Sequence, residues 1–213
     1  MKTLSVKQER FVNVIFLSII FLFILVEFLL AFTPPVARDA LIHHLAIPKL
    51  WLVHGGFYET PWAGFSYYPM NLSLLYLVPL YFGNDIIPNF IHLGFGVGTA
   101  LLLYVYLNKK AGRSAGLLGA LMFISLPTIL RTATTAYVDV GLVFFITLSV
   151  LAYVYWRDTE YKVSGWLVVS ATAMGLALGT KYSALPVWFF LTLALVFLYA
   201  KETGRQWPAL KYG

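Results

Sequence analysis

The sequence predicts an all-α fold: a polytopic transmembrane helix bundle of about six spans, with short membrane-parallel helices in the first outer loop. Three observations carry this. Of 213 residues, 60% are hydrophobic and 11% charged, against about 45–50% and about 25% in ordinary soluble domains. Mean hydropathy is +0.79. The apolar residues also fall into runs near the roughly 17–25 that one helical crossing needs. Soluble globular enzymes, disordered tails and coiled coils are excluded together.

The first run, residues 11–32, follows Lys2, Lys7 and Arg10. It is too long for the apolar core of a cleaved signal peptide, and no small-residue cleavage site follows it. It reads as a permanent anchor. The loop after it is expected to form short helices lying on the membrane over residues 40–46 and 49–53, separated by Pro48. Residues 71–82 make a shorter apolar run containing Pro79, readable either as a crossing or as an interfacial helix. Five further spans are predicted over residues 86–107, 114–130, 140–156, 163–180 and 183–200.

Charge separates the two readings of residues 71–82. If that run does not cross, Lys2, Lys7, Arg10, Lys109, Lys110, Arg113, Arg157, Lys162, Lys201, Arg205 and Lys211 share the cytoplasmic side. That is 11 of the 15 basic residues, with Arg38, Lys49, Arg131 and Lys181 outside. If it does cross, only 5 of the 15 stay inside. The positive-inside rule favours the first arrangement. It predicts a multi-pass protein of the plasma (inner) membrane with both termini cytoplasmic and residues 71–82 on the outer face.

Small residues four apart (Gly94 and Gly98, Gly112 and Gly116, Gly175 and Gly179, with Ala171 a turn earlier) predict close helix packing. Tyr153, Tyr155, Trp156 and Trp166 are expected as interfacial anchors at one boundary. Trp51, Trp62, Tyr67, Tyr68 and Tyr182 are expected at the other. The chain has no cysteine, which removes thiolate chemistry. Its net charge of +6 comes without a basic run, so nucleic acid is not expected as a partner.

With this topology the polar residues collect on one side. The first outer loop holds Arg38, Asp39, His43, His44, Lys49, His54 and Glu59; the second holds Arg131 and Asp139; Lys181 sits at the third break. Asp39 and His43, four apart, share a helical face, while His44 is expected to point elsewhere. A divalent metal held by Asp39, His43, His54 or Glu59 stays open, although no strong metal spacing is present. Asp139 reads either as a helix N-cap or as a functional carboxylate. Lys181 reads as a snorkelling anchor or an anion ligand. Glu27 lies inside the first span, where a bundle-facing or protonated carboxyl is expected.

The segments RDALIHHLAIPKLWLVHGG (residues 38–56) and SYYPMNLSLLY (66–76) resemble the GT-C-type membrane glycosyltransferases. The nearest branch is that of the protein O-mannosyltransferases and the lipid A aminoarabinose transferase. AYVDVGLVFF (136–145) and GLALGTKYSALP (175–186) follow in the expected order, so the resemblance covers roughly residues 30–200. It implies an active site on the outer surface, with Asp39 matching the first acid and Asp139 the second. It implies a polyprenyl-phosphate-linked sugar as donor, inversion at the anomeric carbon, and a glycan, lipid or protein acceptor. Many relatives carry a second acid directly after the first, where this chain has Ala40. Relatives are also usually much longer, so residues 1–213 are expected to form a single transmembrane domain like the family's N-terminal module, truncated at its C-terminus.

The chemistry fits these residues. A carboxylate orients or deprotonates the acceptor hydroxyl, worth about 10²- to 10⁴-fold, and cations receive the departing lipid phosphate. Asp39 and Asp139 are the expected catalytic pair. Arg38, His43, His44, Glu59, Arg131 and Lys181 are the expected substrate-binding set. No cofactor is required by this scheme. The competing classes are a lipid or solute transporter, which would want internal repeats and polar residues at mid-membrane, and a noncatalytic subunit or fragment of a larger membrane assembly.

Overall fold

A computed structural model describes residues 5–204, so Lys2, Arg205 and Lys211 of the charge argument lie outside the described residues. Helix α1 (Val6–Ala31) begins five residues before the apolar run. Ser5 and Gln8 form a capping box there, each side chain meeting the other's backbone N–H at 3.3 and 2.9 Å. The next segment is nearly continuous helix: a π-helical turn, Ala40–His44, then α2 (Ala46–His54). Pro48 does not divide it, because it lies in the first turn of α2, where its missing N–H costs nothing.

Residues 71–82 form a 3₁₀ turn, Ser73–Tyr76, and α3 (Leu77–Tyr81). Nine helical residues reach about half of the ~30 Å hydrocarbon core, so this run does not cross. It docks on the bundle instead. Tyr76, fully buried, donates its hydroxyl to the Tyr137 carbonyl. Asn71 N–H donates to the Gly179 carbonyl at 2.9 Å. Leu72 occupies the space where a side chain on Gly141 would lie.

Helix α4 (Ile87–Ala111) starts under the Asn84 side chain, which accepts from the N–H groups of Ile86 and Ile87 at 3.0 Å. The expected straight span over 114–130 is broken: α5 (Arg113–Ile124) and α6 (Pro127–Ala133) meet at 66°. Pro127 forces this, since the residue before a proline is driven out of the helical region and Leu126 is extended (φ −61°, ψ 127°). Helices α7 (Asp139–Asp158), α8 (Ser164–Thr180) and α9 (Leu185–Thr203) complete the bundle.

Among the described residues four helical segments are long and apolar enough to cross, and the bent α5–α6 pair makes a fifth. The sixth expected span, α8, has 17 residues, about 25 Å long and at the lower edge of what a crossing needs. Helix α5 packs against α1 and α4, α4 against α7, and α7 against α8, while α9 touches α7 and α8 more lightly.

Two packing expectations change. Gly98, Gly116 and Gly179 sit against neighbours, and a Cβ on Gly116 would lie 2.8 Å from the Tyr104 carbonyl, whereas Gly94 and Gly175 face open space. Trp156 and Tyr153 are buried rather than interfacial, packed with Leu195 and Tyr199.

Candidate active site

Chain direction alternates from span to span, so the ends of α1 and α8, the starts of α4, α7 and α9, and the first loop all lie at one end of the bundle. A cavity of about 350 Å³ opens there. Three elements deliver its polar groups. The π-helical turn is flanked by Asp39 and carries His43 and His44. Asp139 is the first residue of α7, and Lys181 is the extended residue between α8 and α9. All five line the cavity.

Asp139 does not act as an N-cap; Val138 holds that position without a side-chain bond. The Asp139 carboxylate instead accepts from Lys181 Nζ at 2.6 Å, with both side chains about half exposed. A lysine ammonium carries three N–H donors, so two remain for a ligand. Asp39 is exposed and makes no hydrogen bond or ion pair among the described residues.

His92 sets the position of α7. It is fully buried in α4, its Nδ1 lies 3.0 Å from the Thr132 carbonyl, and its Nε2 accepts the Val140 N–H at 3.0 Å. That pairing requires the neutral ring with the proton on Nδ1. One side chain thus ties α4 to α6 and to the turn carrying Asp139. Asn89, also buried, does the same for the first loop, donating to the carbonyls of Ala31 and Thr33 at 3.2 and 3.0 Å.

The two loop histidines do not point apart as expected. In the π-helical turn their rings stack, 4.2 Å between centroids and 24° between planes. His44 is buried, with Nδ1 3.2 Å from Ser73 Oγ. Burial, reinforced by neighbouring His43, lowers its pKa to about 3, although Asp139 pulls the other way. His43 is lowered too, by burial, against the opposing pull of Asp39. Both rings are therefore neutral near pH 7, and Lys181 is the cation lining the cavity. His43 Nε2 is itself buried, and the ring lies beside the Phe65 backbone.

Tyr68 and Tyr182, expected as interfacial anchors, form part of the cavity wall. Tyr68 and Tyr182 meet edge to face at 5.9 Å, and Phe65 stacks on His43 at 5.3 Å. The signal was present in the SYYP run and in the position of Tyr182 beside Lys181, but an aromatic at a membrane boundary has a commoner explanation. Arg38, Glu59 and Arg131 do not line the cavity. Glu59 accepts from Tyr67 Oη at 2.6 Å, while Arg38 and Arg131 are exposed. Among the described residues no three of His, Asp and Glu converge as a metal-binding group.

Apolar spans ending in a polar, aromatic-walled cavity define a polytopic membrane protein equipped to bind a polar group at the bilayer edge. Its class is that of the membrane glycosyltransferases of the mannosyltransferase type. The chain belongs to the dolichyl-phosphate-mannose-protein mannosyltransferase family, a GT-C family whose model matches residues 64–211. Tyr68, Asp139 and Lys181 fall within the matched stretch; Asp39, His43 and His44 precede it. No curated protein and no solved structure matches the chain.

Proposed function

We propose that the chain transfers a sugar from a polyprenyl-phosphate donor to an acceptor hydroxyl of a glycan, lipid or protein, with inversion, at the extracytoplasmic face of the plasma (inner) membrane. The supporting observation is that Asp39 and the Asp139–Lys181 pair line one cavity at the loop end of the bundle.

Asp39 takes the proton of the acceptor hydroxyl as its oxygen attacks the anomeric carbon. The bond from that carbon to the phosphate oxygen breaks, and the electron pair leaves with the lipid phosphate. Lys181, held by Asp139, faces the charge that develops there. The aromatic wall binds the sugar through the rings of Phe65, Tyr68 and Tyr182, with His43 packed behind Phe65. The polyprenyl tail stays in the bilayer, which is why the site belongs at a helix end.

The test is sugar transfer from a mannosyl polyprenyl phosphate to endogenous acceptors, in membranes carrying Asp39→Asn or Asp39→Ala at matched expression. A loss of about a hundredfold or more is expected in both; unimpaired transfer in both removes Asp39 from the mechanism. The scheme uses only the chain's own groups, so chelation of divalent cations is expected to leave the rate unchanged. A rate abolished by chelation and restored by one metal would add that metal to the site. Orientation has its own test, since a chain without cysteine gives no background to thiol labelling. A membrane-impermeant maleimide is expected to reach a single cysteine at Thr33 from outside and one at Gly112 only after permeabilisation. The reverse pattern would invert the topology.

A further inference from the structure

All nine acids of the chain lie within the described residues, and among those residues only Asp39 and Glu27 have no hydrogen-bond or ion-pair partner. Glu9 accepts from Ser114, Glu59 from Tyr67, Asp85 from Lys49, Asp139 from Lys181, Asp158 from Lys110, Glu160 from Lys162 and Glu202 from Arg157. Asp39 lines the cavity where substrate is proposed to bind. Glu27 lines a different one.

Helix α1 buries three residues, Asn13, Glu27 and Ala31, spaced to fall on one stripe. The other two have partners: Asn13 Oδ1 accepts from Ser114 at 2.8 Å, and the Ala31 carbonyl from Asn89 at 3.2 Å. Glu27 is 1% exposed, and its Oε1 is buried with no hydrogen-bond partner. Beside it is a cavity of about 270 Å³, walled otherwise by Leu22, Phe23, Val26, Leu30 and Leu130. Leu22, Val26 and Leu30 are each roughly half exposed, so the mouth opens on the side of α1 that faces lipid.

We infer that this pocket binds the ester region of a bilayer glycerophospholipid, with Glu27 hydrogen-bonding an acyl ester carbonyl and the leucines and Phe23 packing the chain below it. A carboxylate buried in hydrocarbon without a partner is far costlier than the acid, and the acid offers one O–H donor. Depth matches: Glu27 lies four residues before the end of α1, about 6 Å along the helix, where the hydrocarbon core gives way to the interface. Size favours a lipid over a partner helix. A helix with its side chains is about 10–12 Å across, whereas a 270 Å³ pocket takes one narrow chain.

The full chain, purified in mild detergent, is titrated with a diacyl phosphatidylglycerol and with its diether analogue, which lacks the carbonyls. Bound lipids are counted by native mass spectrometry. The expected result is one site filled about three- to tenfold more tightly by the diester, the worth of one hydrogen bond. Glu27→Gln, which keeps an N–H donor, is expected to retain that preference and Glu27→Leu to lose it. Equal binding of the two lipids by the unaltered chain overturns the inference even if the leucine variant fails to fold. So does a Glu27→Leu chain that keeps its lipid but loses a co-purifying membrane protein, because the pocket's occupant would then be a partner chain.

Discussion

The two ends of the bundle are built on opposite principles. At the end away from the cavity, every acid is paired. Lys110 meets Asp158 at 2.7 Å, and Arg157 meets Glu202 at 2.5 Å, with Tyr161 Oη donating to Glu202 at 2.6 Å. Lys109 lies over the Tyr155 ring. Each acid there has a donor, so that end ties its helices together and leaves no carboxylate free. At the cavity end Asp39 has no hydrogen-bond or ion-pair partner among the described residues, and Lys181 has donors to spare. A carboxylate left free beside a cation held by a second acid separates the site from the scaffold.

The largest test of this contrast is activity. Lys181→Met and Asp139→Asn are expected to lower sugar transfer by about a hundredfold or more, since one loses the cation at the leaving phosphate and the other the group that aims it. Stability should barely change, because exposed ion pairs contribute only about 0–1 kcal/mol. Arg157→Met, which breaks the shorter pair at the other end, is expected to leave transfer within about twofold. Measuring initial rates and melting temperatures of all three in one detergent checks the assignment. A hundredfold loss in Arg157→Met would erase the distinction between the ends.

Next in size is His92. Replacing it by alanine strands the Thr132 carbonyl and the Val140 N–H, each costing about 1–3 kcal/mol when buried and unpaired. The expected loss of stability is about 2–6 kcal/mol, read from chemical denaturation. His92→Asn, which can present one donor and one acceptor from similar positions, should recover part of it. Because the bond falls one residue after Asp139, transfer in the folded asparagine variant should fall through the turnover rate more than through substrate affinity. A loss confined to affinity would show that His92 does not position Asp139.

Much of the fold was legible because hydropathy and charge are averages over many residues. The spans survive small errors at any one position, and the count of basic residues kept residues 71–82 from being read as a crossing. The bend at Pro127 was legible in principle, yet the apolar run continued through it and masked the break. Within the site, Asp39, Asp139 and Lys181 stood out because charges near a bilayer need a reason. The aromatic wall did not, since Tyr68 and Tyr182 look alike as anchors or as a sugar platform until the cavity between them is seen. His92 was illegible for a different reason: its role depends on a carbonyl 40 residues away and an amide 48 residues away, and no local pattern carries that. The stacking of His43 on His44 depends on a π-helical turn that their spacing does not announce.

The smallest expected effect sharpens the comparison through pH. All four histidines lie at the cavity end or in its loop, on the π-helical turn, α2 and the cavity-side half of α4. In the unfolded chain a histidine takes up its proton near pH 6.5, but folded His44 refuses one until about pH 3. Its contribution to stability is therefore complete above pH 6.5 and drains away as pH falls toward 3, by about 1 kcal/mol between pH 6.5 and 5.5. His43 acts in the same direction. Melting curves of the unaltered chain and of His44→Asn should converge as pH falls, the asparagine variant having the flatter profile by that amount. Proteolysis of the first loop should rise over the same range while cleavage near residues 159–163, in the α7–α8 turn, stays constant. Parallel profiles for the two proteins would mean that His44 is already solvated in the folded chain, and that the cavity end is less dry than its packing against Ser73 and Tyr137 implies.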